Sequence, residues 1–113
     1  MNGVNQYIKL PINSAFNIAR TDKVSFECVF KLNSIGSYSF FFSKYDSTFF
    51  RGFWLGVAPS GQLAMSLQNF GGLVGFVVES LAAPISIGNW YTALFTYDGS
   101  SLAGGVKFYL AGV

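Results

Sequence analysis

Few side chains in this 113-residue chain are able to do chemistry, and they are scattered. There is no histidine, which excludes imidazole-based triads, general bases and metal ligands. The carboxylates are Asp22, Glu27, Asp46, Glu79 and Asp98, none adjacent to another. Retaining glycoside cleavage needs two carboxyls about 5 Å apart. Glu27 is the only acid on its segment, and Glu79 is distant in sequence. No catalytic residue and no enzyme activity are therefore expected. Calcium needs several oxygen ligands, usually carboxylates. Asp46, in a polar stretch, is the best lone metal candidate, set against the reading of a solvated loop carboxylate. Asp98 precedes Gly99 and reads as a turn residue.

Binding chemistry is better represented. Sugar recognition on β-proteins combines an exposed aromatic ring with nearby hydrogen-bonding groups. The stretch Lys44-Tyr45-Asp46-Ser47-Thr48-Phe49-Phe50-Arg51 holds both ingredients, and so does Gln68-Asn69-Phe70. The candidate ligand residues are Lys44, Tyr45, Asp46, Arg51, Asn69 and Phe70. Phe49 and Phe50 fit a core or subunit-contact role as well. Trp54 and Trp90 lie within strand-like runs and are expected to be core anchors. Lys9, Lys31 and Lys107 read as solvated faces or edge guards.

These residues need a scaffold, and composition bounds it. The chain is 51% apolar, 19% aromatic and 11% charged, the opposite of a disordered composition. Its length suits one small domain. Such a domain buries only about two thirds of its unfolded surface, so some apolar area stays exposed or meets a partner. The net charge of +2 comes from single, dispersed residues and makes no phosphate-tracking stripe, so nucleic acid is not an expected ligand. Cys28 is the only cysteine; it excludes an internal disulfide and reads as a small buried hydrophobe. The longest apolar run, Phe70 to Val78, has nine residues including three glycines, too short for a membrane helix. Met1 is followed by polar residues, and no secretory signal is seen.

The strand signals are dense. Val24 to Leu32 alternates cleanly, with Val24, Phe26, Cys28, Phe30 and Leu32 on one face. Further strands are predicted at 7–10, 38–43, 52–58, 62–67 and 74–78, with an extended segment at 81–87. Between 52 and 58, Phe53, Leu55 and Val57 face one way and Trp54 the other. A final hairpin is predicted from Trp90–Tyr97 and Val106–Gly112, flanked by Gly88-Asn89 and Asp98-Gly99. Its first strand is uncharged and apolar on both faces, so it is expected to be an inner strand covered on both sides. Eight or nine short strands with a turn about every ten residues predict an all-β antiparallel sandwich or jelly roll.

Three pieces resemble the laminin-G-like, concanavalin-A-like jelly-roll superfamily. Asn2-Gly3-Val4-Asn5-Gln6-Tyr7-Ile8 is similar to its opening "D-G-V-N-D-Y-I" strand. Phe42-Ser43-Lys44, Arg51-Gly52-Phe53-Trp54-Leu55 and Ser60-Gly61-Gln62-Leu63 resemble its "F-S-K … G-x-x-L … D-G-x-L" middle. The final hairpin resembles "G-x-W-H-x-V-x-x-T-Y-D-G … V-x-x-Y-x-N-G", with Ala111 where the family has Asn. The resemblance covers nearly all of residues 1–113. It implies a single domain, and since family members continue past this hairpin, one incomplete at its C-terminal end.

The resemblance implies a non-catalytic binding or adhesion module, with glycan as the favoured ligand. The alternative is a structural virion component, a phage tail, fibre or capsid-decoration domain acting through protein–protein packing. An accessory domain of a larger enzyme is a third reading, because a fold does not dictate a function. Expected partners are a glycan or neighbouring protein chains, within an oligomer or larger assembly, at a virion or cell surface. Calcium occurs in many family members but has no acidic cluster here to support it.

Overall fold

The computed structural model describes residues 7–46, 48–49, 51–69, 75–81 and 85–112. Seven strands are present among them: β1 (Val24–Lys31), β2 (Ser39–Asp46), β3 (Arg51–Val57), β4 (Leu63–Gln68), β5 (Gly75–Glu79), β6 (Trp90–Tyr97) and β7 (Val106–Gly112). They form two antiparallel sheets, ordered β1-β6-β7 and β2-β3-β4-β5, packed face to face as a sandwich. Within the described residues the regular structure is otherwise limited to short 3-10 turns such as Ser14–Phe16 and Ala103–Gly105. No helix among them is long and apolar enough to cross a membrane.

The two-residue period of the sequence becomes the two faces of each sheet. On β3 and β4 the inward side chains are Phe53, Leu55, Val57, Leu63, Met65 and Leu67, all buried. From the other sheet come Phe30, Ala93, Phe95, Tyr97 and Val106. Aromatic pairs join the layers: Phe30 meets Phe41 with ring centroids 4.4 Å apart, and Phe26 meets Phe53 at 5.5 Å. A β-bulge between Phe40 and Phe42 makes this possible. The extra residue lets Phe41 and Phe42 both reach aromatic partners on β1, while Phe40, paired with Gly56, stays on the outward face. Cys28 is half-buried against this core, and burial, aided by the neighbouring Glu27 charge, pushes its thiol up to about 11. It is therefore a protonated, unreactive thiol at neutral pH.

Several expectations are corrected. Residues 7–10 do not form a strand. Residues 2–6 and 82–84 lie outside the described residues. The loop expected at 44–51 is shorter, because β2 runs on to Asp46 and β3 starts at Arg51. β6 is the inner strand of its sheet, as expected, but it is covered on one face only. Its Ala93, Phe95 and Tyr97 are buried, whereas the opposite face is half-open and Trp90 is 51% exposed. Neither tryptophan is a core anchor: Trp54 stands on the outward face of β3, opposite Ser66.

Candidate functional site

The site begins at the β2–β3 hairpin, whose last pairs are Tyr45 with Gly52 and Asp46 with Arg51. Asp46 shapes the turn. Its Oδ1 accepts the backbone amides of Thr48 at 2.9 Å and Phe49 at 3.3 Å. Its Oδ2 lies 3.5 Å from Arg51 Nε. The Arg51 guanidinium in turn sits 5.2 Å from the centroid of the Phe49 ring. Both ends of the ion pair are at least a third exposed, so it orients Arg51 more than it stabilises the fold. Gly52 is required beside it. Its φ is +111°, and a Cβ there would lie 2.0 Å from the Lys44 carbonyl oxygen.

Two further side chains reach across the sheet. Tyr45, Gly52 and Gln68 occupy one cross-strand row on the outward face, and Gly52 has no side chain to separate its neighbours. The Tyr45 hydroxyl therefore donates to Gln68 Oε1 at 2.7 Å. Lys44 points to the other side, in register with the core residue Phe53, and its ammonium donates to Asn17 Oδ1. Asn17 follows the 3-10 turn Ser14–Phe16, which Asn13 caps by accepting the Ala15 amide at 2.8 Å.

These groups surround an open cleft of about 600 Å³ at the end of the sandwich. Residues 16–19 make one wall, and the ends of β2, β3 and β4 make the other. Lys44, Tyr45, Asp46, Arg51 and Asn69 all line it, so five of the six candidate residues meet in one place. Phe70 lies outside the described residues. Asn17 carried no sequence signal, because its partner Lys44 is 27 residues away. A wall of amides, a phenol, a guanidinium and an ammonium can donate and accept several hydrogen bonds to a polar ligand.

Among the described residues that line the cleft, Asp46 is the only acid, and both its carboxylate oxygens face donors. Among the described residues, no group of three or more His, Cys, Asp or Glu side chains is placed to hold a metal ion. Phe49, expected in the core or at a subunit contact, is not in the core but exposed at the turn. Compared with family models, curated proteins and solved structures, the chain shows no match.

Proposed function

We propose that this chain is a non-catalytic glycan-binding module, of an adhesion type, whose ligand lies in the cleft at the β2–β3 turn. The carrying observation is the convergence of Lys44, Tyr45, Asp46, Arg51 and Asn69 on one open cleft. The absence of histidine and the dispersal of the acids support a role without catalysis. The motifs that resemble laminin-G-like domains support a jelly-roll path through the two sheets, and with it a glycan as ligand. Nucleic acid and a membrane span are not part of this reading. A virion or extracellular surface is the setting that suits it.

A glycan array followed by titration of the best ligand tests the proposal. Saturable binding that Tyr45→Ala removes is the expected result. A folded protein that binds no sugar sinks it.

A second reading, a structural virion component acting through protein packing, draws on the outward face of β1-β6-β7. Val29, Trp90 and Tyr109 are all exposed there, beside the half-buried Leu94. Light scattering separates the two readings. A defined oligomer without sugar binding favours the structural role, whereas a sugar-binding monomer removes it.

A further inference from the structure

We propose that the outward face of the four-stranded sheet carries a second sugar-stacking subsite at Trp54, Phe40 and Tyr38, so that the ligand is a linear oligosaccharide rather than a single terminal sugar. This rests on the glycan reading of the cleft.

The three rings form one cluster. Tyr38 and Phe40 are parallel within 4°, with centroids 6.0 Å apart. Trp54 meets both nearly edge-on, at 5.4 and 5.3 Å. An aromatic cluster in a core would be hidden, yet Tyr38 is 44% and Phe40 56% exposed. The residues beside Trp54 are small: Gly56 faces Phe40 across the strand pair, and Ala64 and Ser66 follow on β4. Trp54 itself is half-buried, and Gly56, Ala64 and Ser66 beside it are buried. Exposed rings such as those of Tyr38 and Phe40 are what the C–H face of a pyranose stacks upon.

Charge and continuity select the occupant. The strand positions on this face run from Tyr45, Ser43 and Phe40 on β2 to Gly75, Val77 and Glu79 on β5. Glu79 is the only charged one, which disfavours an acidic ligand at this subsite. The row Tyr45–Gly52–Gln68 belongs both to this face and to the cleft. From it to the Phe40–Gly56 row is four residues along β3, about 13 Å at the strand rise. That span accommodates more than one sugar ring.

The test is a set of neutral mono- to hexasaccharide ladders (gluco-, manno-, xylo- and galacto-series) titrated against the full chain. Affinity should climb about tenfold or more from the disaccharide to the hexasaccharide of the bound series. In a Tyr38→Ser/Phe40→Ser variant, whose changed side chains are exposed, that gain should vanish while disaccharide binding stays. In a Trp90→Phe background, Trp54 is the sole tryptophan, and its emission should shift with the hexasaccharide and not with the monosaccharide. Affinity that is flat with length, or a length gain that survives the double variant, overturns the second subsite and leaves the cleft reading standing. Binding to no ladder and no arrayed glycan overturns both.

Discussion

The buried Tyr97 donates its hydroxyl to the backbone carbonyl of Arg20, a residue 77 positions earlier. The same oxygen accepts the Ser101 amide at 2.7 Å. One phenol thus ties the end of β6 to the segment leading into β1 and to the loop before β7. Ser101 holds a left-handed backbone, φ +62°, which a residue other than glycine adopts at a cost. Tyr97→Phe keeps the ring but strands that amide, so it should cost about 1–3 kcal/mol of stability in urea unfolding. An unchanged midpoint would show that water replaces the hydroxyl freely.

Gly52→Ala should be worse than its size suggests. The new methyl would meet the Lys44 carbonyl at 2.0 Å and oppose a φ of +111°. The end of the β2–β3 hairpin must open to admit it, at a cost of about 1–3 kcal/mol for the backbone conformation alone. Thermal melting should show the loss, and the proposed glycan binding should fall with it, because Tyr45 and Asp46 are set by this pairing. A variant of wild-type stability and binding would contradict the assigned register.

Asp46 and Arg51 form one ion pair but should not be equivalent. Arg51→Ala removes an exposed partner and should change stability by about 0–1 kcal/mol. Asp46→Ala removes the same pair and also both amide bonds of the turn, so it should cost more, by about a further 1 kcal/mol. Chemical denaturation of the two variants side by side measures the difference. Equal losses would mean that the turn holds itself without the carboxylate.

The Asp98 carboxyl is held below its ordinary range, first by hydrogen bonding to the Ser100 side chain and amide and less by the Lys107 charge. A depressed carboxyl stabilises the fold fully above its unfolded value, about 4. That contribution disappears as the pH falls through the lower folded value. Melting temperature should therefore drop on acidification below about pH 4, and Asp98→Asn should flatten part of that drop. Gly105 packs against this carboxylate, since a Cβ there would lie 2.1 Å from Asp98 Oδ1. Identical acid profiles for both proteins would place the pH sensitivity elsewhere.

Strand positions were legible because alternation is local. Val24 to Lys31, Trp90 to Tyr97 and Val106 to Gly112 each carry their own period and turn residues, and each is a strand. The short segment 7–10 had apolar residues but no paired neighbour, and it is not one. The candidate residues were legible as types: rings, amides and charges near a turn. Their assembly was not, because Lys44 finds Asn17, and Tyr45 finds Gln68, only through a register set by the whole sheet.

By itself, then, the sequence determined the all-β class, the strand periods and the presence of a polar turn after Lys44, though not its length. These depend on neighbours one or two residues apart. The tertiary structure decided which face of each strand is covered. Trp54 and Trp90 carry the same chemistry as a core anchor, but only the stacking of the two sheets places them outside. It also decided that an inserted residue at Phe41 turns adjacent phenylalanines toward β1, leaving Phe40 on the outward face beside the exposed Tyr38 and the half-buried Trp54. Burial is a property of what lies above a side chain, and that comes from strands far away in the chain.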